Sequence, residues 1–399
     1  MRTSDVLPSK KIITRTVWLL SLVSLFTDMA SEMLYPVMPV FLKHIGFSIL
    51  LIGVLEGVAE AVAGLSKSFF GKKSDALAKR LPFVQWGYAL SALSKPMMAL
   101  FIYPAWIFVC RTTDRLGKGL RTGARDALLS DEATKETKAQ VFGFHRSMDT
   151  LGAVAGPSIA LVFLYLYPNQ YQLLFVLAFI PGVLAIAATF FIKEKIKPIT
   201  QTPAKSFSFF IFFSYWKHSP AAYKKLVSGL LLFALFNSSD VFLLLKMKES
   251  GLSDTAVIAV YIFYNAVYAA VAYPVGILAD KIGLKKIFLS GLFLFVLVYL
   301  GFAFNNSIAI FIALFFLYGL YAAATEGISK AWISNIVHKN ETATAIGTYS
   351  GFQSIAALVA SSVTGLLWYS FGASAAFIIT AVITLISILF LYFTTAENK

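Results

Sequence analysis

Residues 287–324 read IFLSGLFLFVLVYLGFAFNNSIAIFIALFFLYGLYAAA and contain no charged side chain. A helix needs roughly 20 apolar residues to cross the hydrocarbon core of a bilayer, so this stretch is long enough for two spans joined by a short turn. Residues 161–192 and 351–395 are also without charge. Strands of a membrane barrel would instead alternate in polarity over segments of about ten residues. The sequence therefore predicts membrane-spanning helices.

The composition of the whole chain agrees with this prediction. Its 399 residues are 58% hydrophobic and only 14% charged. At roughly 20 residues per crossing plus short loops, this length accommodates about twelve helices and leaves no room for a soluble domain of ordinary size. We therefore expect an all-α membrane protein with twelve transmembrane helices. The expected spans are 17–42, 48–70, 82–102, 105–127, 139–165, 170–192, 223–247, 254–278, 284–303, 307–336, 341–368 and 372–394.

The formal net charge of +14 would suggest a nucleic-acid-binding surface in a soluble protein. Here most Lys and Arg residues fall in the segments on one side of the expected spans, as the positive-inside rule requires of cytoplasmic loops. This distribution places both termini in the cytoplasm and indicates contact with anionic lipid rather than nucleic acid. The expected location is a bacterial-type cytoplasmic (inner) membrane.

Two loop segments resemble each other: GKKSDALAKR begins at Gly71, and GILADKIGLKK begins at Gly276. The same offset of 205 residues aligns GFS at 46–48 with GLS at 251–253. Such a repeat is typical of a transporter whose two halves rock about a site at the membrane midplane. The expected domains are an N-terminal six-helix bundle at 1–192, a cytoplasmic linker at 193–222 and a C-terminal six-helix bundle at 223–399.

These segments resemble the loop signature of the major facilitator superfamily, Gly-x-x-x-Asp-(Arg/Lys)-x-Gly-(Arg/Lys)-(Arg/Lys), which joins the second and third helices of each half. The second copy matches the signature with Gly276, Asp280, Lys281, Gly283, Lys285 and Lys286. The first copy keeps Gly71, Asp75, Lys79 and Arg80 but has Ala76 and Ala78 at the basic and second glycine positions. The resemblance covers essentially the whole chain and implies alternating access between two pseudo-symmetric bundles.

Asp75 and Asp280 are the expected gate residues. An Asp at a helix end can accept hydrogen bonds from the N-terminus of a neighbouring helix and pair with an Arg, which would hold the cytoplasmic face shut in one state. An ordinary solvated loop charge is the alternative. Glu326 and Lys330, four residues apart, are expected to form a salt bridge beside this gate. The complete expected gate comprises Gly71, Asp75, Arg80, Gly276, Asp280, Lys281, Glu326 and Lys330.

Two further motifs resemble those of the twelve-helix drug:proton antiporters of this superfamily. YPVMP at 35–39 is similar to the Pro-Val-x-Pro ending of their first helix. GFHRSMDTLGAVAGP has the spacing of their fifth-helix signature, although its closing glycine pair is missing, and we expect Pro157 to bend the helix where the halves meet. Generic helix packing is the alternative, whereas the antiporter resemblance implies efflux. The fifth-helix motif comprises Gly143, Gly152, Gly156 and Pro157.

Several acids lie at membrane depth in the first half, where an ionised side chain costs about 2.5–3.5 kcal/mol even on a lenient scale. Asp28, Glu60 and Asp149 are each about 15 Å from the span ends, near the middle of the hydrocarbon core. Two pairs, Asp28 with Glu32 and Glu56 with Glu60, are spaced i,i+4 and share a helix face. Crowded carboxylates cannot both ionise cheaply, so such a pair can take up and release a proton. The expected proton-coupling residues are Asp28, Glu32, Glu56, Glu60 and Asp149; static ion pairs between helices are the alternative.

The fourth expected span carries a stripe of cations on one helix face. Its members are Arg111, Arg115, Lys118, Arg121 and Arg125. The antiporters have Arg-x-x-Gln-Gly-x-Gly in this helix, and the chain matches at Arg111 and Gly117 only, so the proton role of that Arg falls to Arg111, with Arg115 as a competitor. We expect the stripe to line a central cavity, and Asp114 and Lys118 to form a static pair.

In the second half, Tyr261 and Asn265 occupy the positions of Glu56 and Glu60 under the 205-residue offset. Neutral polar side chains suit a substrate surface that stacks and hydrogen-bonds without charge. Plain aromatic packing is the alternative for any one tyrosine. The expected cavity and substrate residues of both halves are Arg111, Arg115, Lys118, His145, Arg146, Asn237, Tyr261, Tyr264, Asn265 and Tyr268.

The leading functional hypothesis is a proton-coupled exporter of a small amphipathic or aromatic molecule, acting as a single chain. The alternative is a transporter of a specific anionic metabolite or metal chelator, drawn to the arginines by bidentate pairing. A non-transporting receptor or assembly protein would not need midplane carboxylates at this density. No metal-ligand spacing, nucleophile–base set or phosphate-binding loop indicates an enzyme, and no cofactor or metal is expected. The direction of transport rests on the resemblance, and the sequence leaves H⁺ and Na⁺ open as the coupling ion.

Overall fold

The computed structural model describes residues 12–35, 37–38, 41–42, 45–47, 49–194 and 211–395; the side chains of 49–54, 56, 57, 60, 61, 211–213, 254 and 255 lie outside the described part. This part contains thirteen α-helices and no strand. The helices are α1 (Arg15–Glu32), α2 (Ile49–Ala76), α3 (Leu81–Leu100), α4 (Pro104–Asp131), α5 (Lys138–Leu166), α6 (Tyr171–Thr189), α7 (Ile211–His218), α8 (Ala221–Ala234), α9 (Val241–Glu249), α10 (Asp254–Ile282), α11 (Leu284–Phe304), α12 (Ile308–Ile336) and α13 (Thr342–Thr394), with a 3₁₀ turn at Lys339–Glu341.

The described helices have the length and composition of membrane spans. Six of them are long and apolar enough to cross a bilayer: α5, α6, most of α10, α11, α12, and α13 together with the preceding 3₁₀ turn. The fold is therefore all-helical, as the uncharged stretches predict.

The first helix is shorter than the predicted span at 17–42. α1 begins after Thr14, whose hydroxyl accepts a hydrogen bond from the backbone N–H of Val17 at 3.3 Å, and it ends at Glu32. A turn follows at residues 33–35. Proline lacks a backbone N–H and disfavours helical geometry in the residue before it, so the position of Pro36 accounts for this end. Pro36 and Pro39 of the YPVMP motif themselves lie outside the described residues.

The seventh predicted span, 223–247, is two helices instead of one. α8 ends at Ala234, α9 begins at Val241, and the intervening residues 235–240 are irregular. This break contains the run Asn237, Ser238, Ser239 and Asp240, whose short polar side chains compete with the helical hydrogen bonds of the backbone. The sequence analysis noted Asn237 but did not predict the interruption.

The last two predicted spans form one helical run, α13, with a single break. At the break Gly372 has φ 84° and ψ 166°, a conformation that only glycine adopts without strain. A second positive φ, 108° at Gly283, makes the turn between α10 and α11. The predicted linker at 193–222 contains α7, and residues 195–210 of it lie outside the described part.

Helix packing separates the chain into two groups. In the first, α3 packs on α4 and α6, α1 packs on α5 and α6, and α2 packs on α4. In the second, α12 packs on α10 and α11, and α13 packs on α11 and α8. Two large interfaces join the groups, α5 against α10 and α2 against α13.

Glycines permit these two interfaces to be close. A Cβ added to Gly71 of α2 would lie 2.5 Å from the carbonyl oxygen of Ala343 at the start of α13. A Cβ on Gly276 of α10 would lie equally close, at 2.5 Å, to the carbonyl oxygen of Ala139 at the start of α5. Backbone oxygens cannot move aside as a flexible side chain can, so each glycine is needed for the closed contact.

Candidate functional site

At one end of the molecule, Asp75 of α2 binds the N-terminus of α13. Its Oδ2 accepts hydrogen bonds from the backbone N–H and the hydroxyl of Thr344, both at 2.8 Å. Its Oδ1 pairs with Arg80 at 3.1 Å. Arg80 also pairs with Asp131 of α4 and donates to the carbonyl oxygen of Lys339 at 3.0 Å. A carboxylate at a helix N-terminus is stabilised by the exposed N–H groups and the helix dipole, so this contact joins the two groups of helices.

Asp280 of α10 makes the equivalent contact at the second interface between the two groups of helices, α5 against α10. Its two carboxylate oxygens accept hydrogen bonds from the backbone N–H groups of Ala139 at 3.0 Å and Gln140 at 2.7 Å, at the N-terminus of α5. Each repeated loop segment thus places its Asp on the first turn of a helix from the other half. Lys281, the next residue of the signature, is exposed.

Two ion pairs cross between the halves further inside. Lys330 of α12 lies 2.8 Å from Asp126 of α4, and Glu326 of α12 lies 3.5 Å from Arg146 of α5. The prediction that Glu326 and Lys330 pair with each other is therefore wrong, because each of them forms an ion pair with a residue of the opposite half. A single sequence shows the i,i+4 spacing but not which neighbouring helix offers a better-placed opposite charge.

A buried network surrounds Asp149 of α5. Its carboxylate accepts hydrogen bonds from the hydroxyl of Ser24 on α1 and from Arg146 at 2.7 Å. Arg125 donates to the same Ser24 at 3.4 Å and pairs with Asp126 at 2.8 Å. This arrangement ties α1, α4 and α5 together and links them through Asp126 to α12.

His145 lies in the middle of this network. It is buried, and neither ring nitrogen has a hydrogen-bond partner among the described residues. Charged groups of both halves surround it, namely Arg125, Asp126, Asp149 and Lys330.

Lys95 of α3 is a buried cation that the sequence analysis missed. It is 1% exposed, and its ammonium group pairs with Asp114 of α4 at 2.7 Å and donates to Ser31 of α1 at 3.2 Å. Asp114 also lies 3.7 Å from Arg111. The predicted Asp114–Lys118 pair is wrong, since Asp114 turns towards α3 and Lys118 is exposed.

Asp28, Glu32 and Lys118 form a second, more open group of charges. Asp28 and Glu32 are half-buried, and no side chain of the three forms a hydrogen bond or ion pair with another described residue. Lys118 is nevertheless within electrostatic range of both acids, as is Asp149. Arg111 and Arg115 act on Glu32 in the same way, so α1 and α4 face each other through these side chains.

Glu56 and Glu60 belong to α2, but their side chains lie outside the described part. Their expected role alongside Asp28 and Glu32 therefore stays a prediction.

The small residues of the fifth helix contact two different neighbours. A Cβ on Gly156 would lie 2.6 Å from the carbonyl oxygen of Met29, and Gly152 also packs on α1. Gly143, in contrast, faces Ala272 of α10, with a Cβ-to-oxygen distance of 2.5 Å. Gly152 and Gly156 thus pack within the first half, and α5 contacts the second half through Gly143 and Arg146. That Pro157 bends the helix where the halves meet stays a prediction.

In the second half, tyrosines of α10 and α12 form a continuous row. Neighbouring ring centroids lie 6.1 Å apart for Tyr261 and Tyr264, 6.3 Å for Tyr264 and Tyr268, 5.1 Å for Tyr264 and Tyr318, and 5.2 Å for Tyr318 and Tyr321. Such pairs stabilise the fold beyond the area they bury. The row reaches the first half at Tyr268.

Arg146 meets the row at Tyr268. Its Nε donates to the Tyr268 hydroxyl at 2.5 Å, and its guanidinium lies 5.4 Å from the centroid of the ring. Asn265, expected to face the substrate, donates its amide to the carbonyl oxygen of Tyr261 on its own helix at 3.0 Å.

Asp240, in the break between α8 and α9, is a second charged residue that the sequence analysis missed. Tyr318 donates a hydrogen bond to its Oδ1 at 2.6 Å, and Tyr264 lies within electrostatic range of the carboxylate. Asn237 in the same break donates to the Tyr321 hydroxyl at 3.1 Å, whereas its Oδ1 has no donor among the described residues. The run NSSD within an apolar segment was the available sequence signal.

Comparisons with known proteins agree with this architecture. A family model described as the Major Facilitator Superfamily matches residues 20–263 and 240–399. An uncharacterized MFS-type transporter of Methanocaldococcus jannaschii is 32% identical over 389 residues, which cover 96% of this chain and 95% of that protein. An uncharacterized protein of Mycobacterium tuberculosis is 26% identical over 186 residues, 46% of this chain and 44% of its own length.

The fold is also found among solved structures. The human organic anion transporter MFSD10 superposes with a TM-score of 0.76 at 17% sequence identity, over 94% of this chain and 99% of that one. The family match covers nearly the whole chain, and the members of this family are transporters rather than enzymes. The chain belongs to the major facilitator superfamily and is a multi-pass integral membrane protein with the all-helical fold of that family.

Proposed function

We propose that this protein is a proton-coupled secondary active transporter that exports a small amphipathic or aromatic molecule by alternating access. It works as a single chain in a cytoplasmic membrane, in contact with anionic lipid. The coupling ion is a proton, and the first half carries it.

Twelve spans follow from the thirteen helices when four of them, α7, α8, α9 and α13, are not counted as one span each. α8 and α9 together make the seventh span, α13 makes the last two on either side of Gly372, and α7 belongs to the linker. The halves are then 1–192 and 223–399. Because twelve is an even number of crossings, the chain ends on the side of the membrane where it begins. This supports the proposal that both termini lie on the same side.

The cytoplasmic side is the end at which the halves meet. The Asp75 and Asp280 contacts lie there, next to basic residues in the loops and adjoining helix ends such as Lys72, Lys79 and Lys286, and the positive-inside rule assigns such segments to the cytoplasm. The cavity residues Asp28 and Glu32 lie towards the opposite end of α1. This geometry supports an outward-facing state in which the gate residues hold the cytoplasmic side shut.

The open pair of carboxylates on α1 is the observation that carries the proposal. Asp28 lies thirteen residues into α1, about 20 Å along the helix axis from Arg15. Most other described acids of the first half are held in ion pairs, whereas Asp28 and Glu32 are half-buried without a direct ionic partner in the described part. An acid that is accessible from one side only can load a proton there and release it when the halves rock.

A second candidate function is transport of an organic anion. Lys118 is exposed, it is not ion-paired with a described residue, and it lies near Arg115 and Arg111 on the same helix. Arginine side chains bind carboxylates in a bidentate manner. MFSD10, whose fold this chain shares, is described as an organic anion transporter.

Transport by purified protein in proteoliposomes with an imposed pH gradient tests the proposal. Asp28→Asn and Glu32→Gln are expected to abolish gradient-driven transport of a substrate found by screening while sparing its counterflow, because exchange needs no net proton movement. Glu249→Gln, an exposed acid on α9, is the matched control and should transport normally. Retained gradient-driven transport after both α1 acids are neutralised together would assign coupling elsewhere. Replacing H⁺ by Na⁺ as the imposed gradient tests the coupling ion.

A further inference from the structure

The second half contains a carboxylate that is surrounded by tyrosines and has no cation beside it. Tyr318 donates a hydrogen bond to the Oδ1 of Asp240 at 2.6 Å, and the ring of Tyr264 packs on Tyr318 with a centroid distance of 5.1 Å. Among the described residues, no Lys, Arg or His nitrogen forms an ion pair with it, and the nearby charge that acts on it is another acid, Glu326. A carboxylate at membrane depth is costly unless a cation or several hydrogen bonds compensate it.

The other end of the same tyrosine row shows what such a site binds. There the guanidinium of Arg146 lies over the ring of Tyr268, donates a hydrogen bond to its hydroxyl and pairs with Glu326 at 3.5 Å. Ring face, hydroxyl and carboxylate together hold a cation that the protein supplies. Asp240 has the same kinds of group around it, namely a carboxylate, a tyrosine hydroxyl and aromatic rings. It differs from the Arg146 site because no cation of the described residues pairs with it.

Asp240 itself is the N-cap of α9, and the end of α8 contributes negative backbone groups to the other side of the break. α8 ends at Ala234, and a helix end leaves its last carbonyl oxygens without intrahelical donors. These oxygens form the negative end of the helix dipole. Asn237 adds an amide oxygen that lacks a donor among the described residues. Interrupted helices at the repeat interface are where many secondary transporters bind ions and substrates.

Side chains of the break and of the neighbouring α10 are partly accessible. Asp240, Asn237 and Tyr261 are half-buried, not fully enclosed. Tyr261 lies within electrostatic range of both Asp240 and Glu32, so it is situated between the break and the α1 acids of the first half.

We propose that the break between α8 and α9 is the substrate's headgroup site, and that it binds a primary or secondary ammonium group attached to an aromatic or apolar body. The ammonium pairs with Asp240 and donates to the amide oxygen of Asn237, while the body packs on Tyr264 and Tyr318. This inference adds a substrate class to the transport function proposed above and rests on it. A sodium ion fits less well, because it needs several oxygen ligands at short range, whereas the break is lined largely by aromatic rings.

Three ligands of equal size and different headgroup test the site: 4-phenylbutylamine, 4-phenyl-1-butanol and 4-phenylbutyrate. Their binding to the full chain in lipid nanodiscs is measured by equilibrium dialysis, with nanodiscs that lack protein as the blank. We expect the amine to bind at least about tenfold more tightly than the alcohol, and the carboxylate to bind most weakly. Equal affinity for all three ligands, or preference for the carboxylate, overturns the proposal without the use of any variant.

Variants then locate the site. Asp240→Asn should weaken amine binding by at least about tenfold, Asp240→Glu should recover part of it, and Glu249→Gln on the adjoining helix should bind as the wild type does. Unchanged affinity in Asp240→Asn overturns the assignment. Replacing choline chloride by sodium chloride at equal ionic strength should change amine affinity by less than about twofold, and about tenfold competition by sodium would instead identify a sodium site.

The outcomes separate this inference from the proposed function. If gradient-driven transport depends on Asp28 but no amine binds, the proposed function is supported and the amine site is refuted. If amine binding depends on Asp240 but transport is independent of the pH gradient, the amine site is supported and proton coupling is refuted.

Discussion

The ammonium group of Lys330 on α12 lies 2.8 Å from the carboxylate of Asp126 on α4, across the boundary between the two halves. Asp126 is fully buried and also pairs with Arg125 on its own helix at 2.8 Å. One turn earlier on α12, Glu326 pairs with Arg146 of α5. Adjacent opposite charges on α12 are thus neutralised by opposite charges of the other half, so separation of the halves here would leave both residues without their partners.

Removal of the Lys330 charge is expected to loosen the closed face. Lys330→Met leaves Asp126 with Arg125 as a partner, so the first half should stay folded while the contact between the halves weakens by about 1 kcal/mol, in the range for partly exposed ion pairs. A Thr348→Cys reporter measures this, because Thr348 is buried against Ser68 in the closed state. With Cys110→Ala as background, we expect about fivefold faster labelling by a membrane-impermeant thiol reagent in inside-out vesicles. Unchanged labelling would show that the ion pair does not hold the face closed.

A disulfide across the α2–α13 interface should lock the protein. The hydroxyl oxygens of Ser68 and Thr348 lie 3.2 Å apart, so two cysteines at these positions would have their sulfur atoms close together in this state. The Ser68→Cys, Thr348→Cys pair in the Cys110→Ala background should lose transport on oxidation and regain it on reduction, because alternating access requires these helices to separate. Each single cysteine variant is the control and should be insensitive to oxidant. Full transport by the cross-linked protein would place the moving interface elsewhere.

The close glycine contacts lead to a prediction about the resting state. Gly276→Ala puts a Cβ 2.5 Å from the carbonyl oxygen of Ala139, so the halves must move apart at this end. We expect the Thr348→Cys reporter to label faster while the melting temperature changes little, since the glycine lies between the halves and not inside either core. Gly365→Ala is the matched control: its nearest neighbour, the ring of Phe242, lies 3.7 Å from the added Cβ, an ordinary contact. If both variants label alike, the closed geometry does not depend on Gly276.

The parts of the site that the sequence predicts best are those that occur twice. Asp75 and Asp280 were expected at helix ends from the repeat, and both cap a helix of the opposite half. The uncharged stretches likewise predicted helices, because a long apolar run in a membrane has few alternatives.

Partner choice could not be predicted in the same way. Asp114, Glu326 and Lys330 each had an opposite charge at i,i+4, yet each bonds to another helix. Spacing along one helix is visible in a sequence, whereas the crossing of two helices depends on packing of the whole bundle. Asp240 and Lys95 were missed because each is a single charge in an apolar segment without a patterned neighbour.

Lys95 gives the last prediction, on stability. Its ammonium is 1% exposed and bonds to Asp114, which otherwise has Arg111 at 3.7 Å. Lys95→Met should reduce the free energy of unfolding by about 3–5 kcal/mol, because it leaves a buried carboxylate poorly compensated. Adding Asp114→Asn should recover part of the loss, since the two effects are coupled. Thermal unfolding in detergent measures both, with Lys118→Met as the control: this lysine is exposed and should change stability by less than about 1 kcal/mol. If Lys95→Met and Lys118→Met unfold at the same temperature, the prediction is wrong, and Arg111 must move closer to neutralise Asp114.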